Sequence, residues 1–488
     1  LSAFATCDIS LPRVFRSIFT PMKTTPVRSL FHPDFPFSPA KFPFFYGWVI
    51  LVASVLGVMT SIPGQTIGVS VFTDHLIEAT GLSRLQLSNA YLAGTLTSGC
   101  LLPFGGKLLD RIGARRIVVL AAMGLGLTLC YLANCDRIAF FLSQQIPFEA
   151  KPIAAVILVL GFVSLRFCGQ GMLTMTSRTT LGKWFEVRRG QVSGIEGIFV
   201  AFGFAIAPYW FSQGIAAVGW RQTWLGLAAV VGLGMSTIGW LLFRDNPELC
   251  GLRMDGARAE KAEAYAPTDS TAATLADSEP QPPADVLWGL TRGEAIKTLA
   301  FWAVTLAFAS QALAMTGMTF HIVSIGAESG LSEPEIVGIF VPNAVVSTAV
   351  GFTVGLLCDR IRLQYIFMFM MAFQSMGIAA MANLNIPGAF ALAVLGWGVS
   401  TGCFATLTTV TLPRFFGRAH LGAIAGVQMM IIVIGSAVGP SLLANVKAVT
   451  GSYNGGLYLC CCFAPVVILL MALILKGDKG SGYHHPKQ

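Results

Sequence analysis

The chain has 488 residues, of which 54% are hydrophobic and 11% are charged, and its formal net charge is +8. A soluble domain normally has about 25% charged residues, so this composition excludes an ordinary soluble protein and indicates one embedded in lipid. The cations follow a membrane topology, so the basic balance does not indicate nucleic-acid binding.

Twelve apolar runs are each long enough to cross a hydrocarbon core of about 30 Å. Backbone polar groups in lipid have to be satisfied within the segment, so each run is predicted to be a helix. We therefore predict an all-α integral membrane protein with twelve transmembrane helices in two six-helix pseudo-repeats. The predicted helices cover residues 46–72, 86–106, 115–134, 153–180, 190–214, 221–243, 299–325, 334–357, 363–384, 387–412, 421–448 and 453–475.

A long polar stretch divides the first six helices from the last six, and its excess of Ala, Asp, Glu, Pro and Ser is typical of a flexible linker. The loop over residues 135–152 is long enough to hold a short interfacial helix. The expected organisation is a mostly disordered cytoplasmic extension (1–44), an N-terminal bundle (45–243), a cytoplasmic linker (244–298), a C-terminal bundle (299–476) and a cytoplasmic tail (477–488).

Lysine and arginine predict the orientation. If both termini are cytoplasmic, 26 of the 32 cations lie on the cytoplasmic side, five lie outside and Arg166 lies within a span. Cytoplasmic loops of membrane proteins carry the excess of Lys and Arg. The bias therefore predicts cytoplasmic termini, and the expected location is the plasma (inner) membrane.

Two spacings indicate an internal duplication. A Gly-Leu-Ser triplet at 81–83 precedes Asp110, and a second triplet at 330–332 precedes Asp359 by the same interval, at an offset of 249 residues. Three glycines and a proline within 190–208 recur within 422–440, at an offset of 232 residues. Duplicated six-helix units are typical of transporters whose halves rock around a substrate site near the midplane.

The charged turn over residues 105–116 resembles the loop between the second and third helices of the major facilitator superfamily. Arg166, followed by Gln170 and Gly171, resembles the pattern of that superfamily's fourth helix. The resemblance covers residues 45–476 and implies alternating-access transport by a twelve-helix protein. It also implies a role in coupling for Arg166.

Within that superfamily, three stretches resemble the monocarboxylate and oxalate–formate porter group, namely 46–48, 184–190 and 246–256. The resemblance implies cations in the eighth and eleventh helices of carriers that bind dicarboxylates. The predicted helices 334–357 and 421–448 lack such mid-span cations. A monocarboxylate-like anion is therefore favoured over an oxalate-like dianion.

Arg166 lies about halfway along the fourth predicted helix, where a cation costs about 2.5–3.5 kcal/mol on insertion scales. Such a residue binds an anionic substrate, couples proton movement, or is paired with a carboxylate for packing alone. Glu196, in the fifth helix, is the candidate carboxylate. If the two share a cavity, Glu196 could take up a proton as the pair separates; the alternative is a static ion pair.

Uncharged polar residues within the spans are further candidates for substrate binding. Pro63 and Gly64 weaken the first helix, and a break at mid-depth points to a substrate site. The alternative is a kink that only serves close packing. The candidate hydrogen-bonding residues are Gln65, Thr66, Gln170, Gln311, His321 and Gln428, and His321 could equally be an interfacial residue.

The two charged turns are expected to close the cytoplasmic side when the transporter opens outward. The alternative is that these basic loops only fix the orientation. The gate residues are expected to be Gly106, Asp110, Arg111, Arg115, Asp359 and Arg360.

No pattern typical of an enzyme, a metal site or a cofactor site is present in the sequence, and there is no P-loop. The eleven cysteines form no CxxC pair and are interpreted as small buried hydrophobes. We predict a monomeric secondary active transporter that moves a small organic solute with protons, by symport or exchange. The alternatives are an exporter of a neutral amphipathic compound and a non-transporting solute sensor.

Overall fold

The computed structural model describes residues 31–145, 150–256 and 288–477, which form a helical bundle. Eleven of its helices are long and apolar enough to span a membrane, and a further helix of 29 residues, Arg84–Ile112, is also long enough but more polar. The spanning helices are α1 (Gly47–Gly64), α2 (Arg84–Ile112), α3 (Ala114–Ala133), α4 (Ala150–Trp184), α5 (Arg189–Val218), α6 (Trp220–Leu242), α7 (Leu299–Glu328), α8 (Pro334–Cys358), α9 (Leu363–Met381), α10 (Ala389–Phe416), α11 (Leu421–Thr450) and α12 (Asn454–Lys476). The predicted all-α membrane fold is confirmed.

Equivalent turns begin α2 and α8, as the offset of 249 residues predicts. Each turn has a glycine with a positive φ angle, 66° at Gly81 and 78° at Gly330. Two residues later, each helix has an N-cap serine whose backbone N–H donates to the side chain of the third helical residue, Gln86 or Glu335, at 2.9 and 2.8 Å. Ser83 and Ser332 therefore start the second helix of each half in the same way.

We define the terminal face as the end of the bundle that carries the segment Phe31–Tyr46 and the C-terminal end of α12. The two halves meet at this face. There α2 packs on α11, and α5 packs on α8. A Cβ atom added to Gly106 would lie 2.0 Å from the carbonyl oxygen of Gly422. A Cβ added to Gly190 would lie 2.1 Å from that of Gly355, so both crossings require glycine.

A segment preceding α1 is bound to the terminal face by two arginines. Arg115 donates hydrogen bonds to the carbonyl oxygens of His32 and Phe35, at 3.0 and 2.8 Å. Arg244 donates to those of Pro33 and Phe35, at 2.6 and 3.1 Å. The packed segment corrects the expectation of a disordered extension for residues 31–44, while residues 1–30 lie outside the described part of the chain.

The ends of the long linker are also packed. Asp255 accepts hydrogen bonds from the backbone N–H groups of Glu186 and Val187, at 2.9 and 2.8 Å. Leu290 N donates to Phe416 O at 2.8 Å. Residues 257–287 and the predicted tail over 478–488 lie outside the described residues. The predicted short helix in the loop after α3 is present over Cys135–Ser143.

Replacement of Arg244 by Ala is expected to destabilise the N-terminal half. Arg244 is 1% exposed, and its burial lowers the pKa of the guanidinium. Hydrogen bonds to a charged group contribute about 1.5–3 kcal/mol each, and loss of the guanidinium leaves several carbonyl groups without a donor. We expect a melting temperature several degrees lower and faster proteolysis near residues 31–38.

The matched control is Arg253→Ala, which removes an exposed cation close in sequence to Arg244. Equal melting temperatures for the two variants would show that the bonds from Arg244 do not stabilise the fold.

Candidate functional site

The first spanning helix is broken at its Pro-Gly pair, as the sequence predicts. The α-helical part ends at Thr60, a single 3₁₀ turn covers Ile62–Gly64, and a short helix resumes at Thr66–Ser70. Pro63 has no N–H group to continue the helical hydrogen bonds. The N–H group of Gly68, which would bond to Gly64 O in a continuous α-helix, donates to Gln65 O instead. The carbonyl oxygen of Gly64 is therefore left to bond to a neighbouring helix.

Helix α4 is irregular at the same place. A π-helical segment, Phe167–Leu173, begins directly after Arg166. A Cβ added to Gly64 would lie 2.7 Å from Leu165 O and 2.8 Å from the Cα of Gly169. The two glycines let the broken part of α1 contact α4 through the backbone, and this contact brings the free carbonyl of Gly64 next to Arg166.

Arg166 is the centre of the resulting cluster and is 2% exposed. Its Nη1 donates to Gly64 O and to Thr66 Oγ1, both at 3.3 Å. Its Cζ lies 5.4 Å from the centre of the Tyr91 ring, and the Tyr91 hydroxyl donates to Thr66 Oγ1 at 3.0 Å. The side chain of Tyr91 thus stacks on the guanidinium and fixes the Thr66 hydroxyl that binds it.

The charge of Arg166 is not balanced by a nearby acid. Among the described residues, no carboxylate lies within 4.0 Å of its nitrogen atoms. The Nε atom of Arg166 is buried and has no hydrogen-bond partner among the residues that the structure describes. Thr66 is exposed, so the unpaired guanidinium lies one side chain below an accessible surface.

Two glutamines lie next to this cluster, as predicted. Gln65 Nε2 donates to Ser61 Oγ at 3.1 Å and to Thr174 Oγ1 at 3.3 Å. Gln170 Oε1 is buried without a hydrogen-bond partner among the described residues. The structure therefore brings Gln65, Thr66, Arg166 and Gln170 together.

The corresponding part of the C-terminal half is polar but uncharged. Gln311 Nε2 donates to Ser400 Oγ at 3.3 Å. The described residues leave five buried polar atoms in this half without a partner, and these atoms are Thr305 Oγ1, Asn343 Oδ1, Gln374 Oε1, Trp397 Nε1 and Gln428 Nε2. Unpaired buried polar atoms are costly, so they mark places where a ligand or water completes the hydrogen bonding.

His321 belongs to a different group of contacts. Its Nε2 lies 3.0 Å from Pro440 O, and its Nδ1 lies 3.2 Å from the Tyr453 hydroxyl. Because a carbonyl only accepts, Nε2 carries the proton and Nδ1 accepts from Tyr453 in the neutral ring. His321 thus links α7 to α11 and to the start of α12, and it is not among the residues that contact Arg166.

Glu196 pairs with a residue other than the one predicted. Its Oε1 lies 3.5 Å from Arg178 Nε, and its Oε2 accepts a hydrogen bond from Thr409 Oγ1 at 3.2 Å. The predicted pair with Arg166 is therefore wrong for this conformation. Arg178 is the partner because it lies on α4 three turns beyond Arg166, at the depth of Glu196.

The two predicted gate aspartates cap helices of the opposite half. Asp110 accepts hydrogen bonds from the backbone N–H groups of Gly422 and Ala423 at the start of α11, at 2.9 and 2.7 Å. Asp359 accepts from those of Gly190 and Gln191 near the start of α5, at 3.0 and 3.3 Å. The duplication relates the two interactions to each other, and a carboxylate at a helix N-terminus is favourable.

Burial raises the pKa of the Asp359 carboxyl, whereas the hydrogen bonds that it accepts from the backbone N–H groups of Gly190 and Gln191 lower that pKa. Gly106 lies at the α2–α11 crossing, and Arg111 and Arg360 are exposed beside the two aspartates. Arg115 does not contribute to this closure. It binds the segment before α1, so its predicted role as a gate residue is corrected.

Several residues of these sites were not predicted from the sequence. Tyr91 gave no signal, because an aromatic residue in a membrane helix is usually a packing residue. The signal for Arg178 was its spacing, since Arg166, Gln170, Thr174 and Arg178 recur every fourth residue along α4. An ion pair between Arg418 and Glu248, at 3.0 Å, also joins the halves at the terminal face.

The family model for the Major Facilitator Superfamily matches residues 41–440. The chain belongs to this superfamily. The family and the structural neighbours are transporters, which confirms the prediction that the chain is not an enzyme.

Solved structures of superfamily members share the fold at low identity. The proton:xylose symporter XylE matches with a TM-score of 0.60 and 13% identity, over 88% of this chain and 96% of that chain. A bacterial homologue of the iron transporter ferroportin, in an outward-facing state, matches with a TM-score of 0.64 and 13% identity, over 88% and 99%. The human organic anion transporter MFSD10 matches with a TM-score of 0.56 and 11% identity, over 87% and 99%.

A curated relative matches part of this superfamily protein. It is a probable sulfoacetate transporter, SauU, from Cupriavidus necator, with 26% identity over 186 residues. The match spans 37% of this chain and 38% of the relative's length.

Proposed function

We propose that this protein is a secondary active transporter that moves a small organic anion, of the monocarboxylate type, by alternating access with proton symport or exchange. One observation carries the proposal. Arg166 is a buried cation in a broken region of the bundle, and the described residues offer no carboxylate to balance it. An anionic substrate is the missing partner.

The energetics support an anion at this position. A cation near the middle of a membrane costs about 2.5–3.5 kcal/mol on insertion scales, and such residues usually face a partner or a substrate path. Nη1 of Arg166 is occupied by Gly64 and Thr66, while Nε has no acceptor among the described residues. A planar carboxylate can accept from two nitrogens of a guanidinium at once.

The uncharged polar wall of the C-terminal half favours a single negative charge. Gln311, Gln374, Trp397 and Gln428 offer hydrogen bonds but no cation for a second anionic group. The curated relative is described as a transporter of sulfoacetate, which carries both a carboxylate and a sulfonate. Sulfoacetate is therefore the dianion against which the preference for a monoanion has to be tested.

We also propose that the terminal face is cytoplasmic and that the protein functions as a monomer in the plasma (inner) membrane. The excess of Lys and Arg at this face supports the orientation. A single chain provides both the Arg166 cluster and the polar residues of the opposite half, which supports function as a monomer.

Counterflow into proteoliposomes tests the substrate class. Vesicles loaded with unlabelled pyruvate, lactate, sulfoacetate or xylose are diluted into the labelled form of the same compound. We expect saturable exchange of pyruvate or lactate, weaker exchange of sulfoacetate and none of xylose. Exchange of xylose alone would contradict the proposal. Binding without exchange would favour a solute sensor, and flux of a neutral amphipathic probe alone would favour an exporter.

A further inference from the structure

Glu196 and Arg178 form a second charged site, separate from the Arg166 cluster. Arg178 lies twelve residues beyond Arg166 on α4, which corresponds to roughly 18 Å along the helix. The Glu196 side chain is 2% exposed, and that of Arg178 is 22% exposed. The site thus contains a buried carboxylate whose cationic partner reaches an accessible surface.

The pair also ties the two halves together. Glu196 on α5 accepts from Thr409 on α10 at 3.2 Å, and Arg178 Nη1 donates to the adjacent Thr408 Oγ1 at 3.0 Å. Both bonds cross from the N-terminal half to the C-terminal half. A movement that parts α10 from α4 and α5 therefore breaks both bonds.

The ion pair is imperfect in the closed state. Glu196 Oε1 and Arg178 Nε are 3.5 Å apart, and neither atom has a hydrogen-bond partner among the described residues. A buried carboxylate is stable only when its oxygens are satisfied, because the desolvation penalty otherwise exceeds the attraction. A proton on Glu196 removes that penalty, whereas water hydrates the ionised form once the face opens.

Other charged groups lie nearer the terminal face or bond elsewhere. Asp359, at the end of α8, bonds to the first turn of α5, about one and a half turns before Glu196. Arg414 on α10 donates to Cys358 O, and Arg189 on α5 donates to Phe185 O. Helix α1, which also packs on α5, has no charged residue over Gly47–Thr60. Arg178 is therefore the charged group directly facing Glu196.

A polar stripe on α4 connects this site to the substrate cluster. Gln170 and Thr174 lie between the two arginines at intervals of four residues. Thr174 is hydrogen bonded to Gln65 and Ser61 of the broken helix. The stripe runs along α4 from the Arg166 cluster toward Arg178, and it provides amide and hydroxyl groups between the two charged sites.

We propose that Glu196 is the proton-binding site of transport, loaded while the terminal face is closed and emptied when that face opens. The proton adds to a carboxylate oxygen to give a neutral acid and leaves to water on the terminal side. The proposal rests on the proposed function, in which the substrate is a monoanion. One proton bound per anion then makes transport electroneutral.

Proteoliposomes containing the pH dye pyranine test the proposal, with an acidic exterior and external pyruvate or sulfoacetate. Wild-type protein is expected to accumulate pyruvate and to acidify the lumen, and Glu196→Gln is expected to lose at least nine-tenths of both. Residual exchange by this variant should not depend on pH. The control is Glu186→Gln, which changes an exposed carboxylate at the same face.

A second measurement needs no substrate. Cys358 is buried at the α5–α8 crossing, so its labelling by an impermeant thiol reagent reports opening of the terminal face. We divide the labelling rate of Cys358 in Glu196→Gln by the rate in the wild-type protein, which removes the intrinsic pH dependence of the thiol. This ratio should fall as the pH rises from about 6 to about 8. Only the wild-type protein has the Glu196 carboxyl, whose ionisation favours the open face.

The outcomes separate the two proposals. A constant labelling ratio, or pH-driven accumulation retained in Glu196→Gln, would overturn the role of Glu196. Wild-type exchange without any accumulation driven by a pH gradient would also overturn it while leaving anion transport intact. A falling labelling ratio without exchange of any tested anion would support the proton site and contradict the proposed substrate class.

Discussion

Replacement of Arg166 by Gln is expected to reduce affinity for the transported anion by about 30-fold or more. Truncation of one partner of a buried, hydrogen-bonded charge pair costs about 2–5 kcal/mol, and about 1.4 kcal/mol corresponds to a factor of ten. Arg166 is the buried cation of the cluster, and Gln65, Thr66 and Gln170 offer only neutral groups. Counterflow measured over a range of anion concentrations gives the change in affinity.

The stability of the same variant distinguishes substrate binding from packing. In the absence of substrate, the guanidinium is an unbalanced charge with an unpaired Nε among the described residues. Its removal should leave the melting temperature unchanged or raise it, whereas loss of a structural arginine would lower it. Arg166→Lys keeps the charge but loses the bidentate geometry and should fall between wild type and Arg166→Gln.

Arg137→Gln is the control for these variants, because Arg137 is an exposed cation outside the cluster. Full anion affinity in Arg166→Gln, together with a lowered melting temperature, would show that Arg166 only supports the fold.

Replacement of Gly190 by Val is expected to prevent closure of the terminal face and to reduce transport at least tenfold. A Cβ at this position would lie 2.1 Å from the carbonyl oxygen of Gly355 and 2.9 Å from Asp359 Oδ1. The oxygen of Gly355 is backbone and cannot rotate away, so α5 and α8 have to separate. The fold within each half should persist, because the added atoms lie between the halves.

Gly197→Val is the matched control on the same helix, since a Cβ at Gly197 has no described neighbour within 4 Å. The measurements are counterflow and labelling of Cys358. A Cβ added to Gly190 would lie 3.0 Å from the Cβ of Cys358. We expect faster labelling in Gly190→Val than in Gly197→Val. Equal labelling and equal transport would show that this crossing does not control access.

Features governed by local sequence could be predicted. The break in α1 follows from Pro63 and Gly64, whose effect on a helix does not depend on its neighbours. The equivalent caps of α2 and α8 follow from two similar triplets. The two aspartates were expected at a gate because they lie in charged turns that recur in the two halves.

Features governed by the relative rotation and depth of helices could not be predicted. The pair of Glu196 with Arg178 depends on where α4 and α5 cross, and the single sequence gives no such register. Arg115 was assigned to the gate because it lies in the charged turn, yet its side chain points to the segment before α1. That segment looked disordered because it is held through its own backbone carbonyl groups, by two arginines distant in sequence.

The attachment of this segment has a consequence for the order of assembly during synthesis. Chains emerge from the ribosome with the N-terminus first. Residues 32–37 are thus made long before Arg244, which lies about two hundred residues later and holds three of their carbonyl groups. Docking of the segment is therefore completed only after six helices have been inserted, and it marks completion of the first bundle before the second is made.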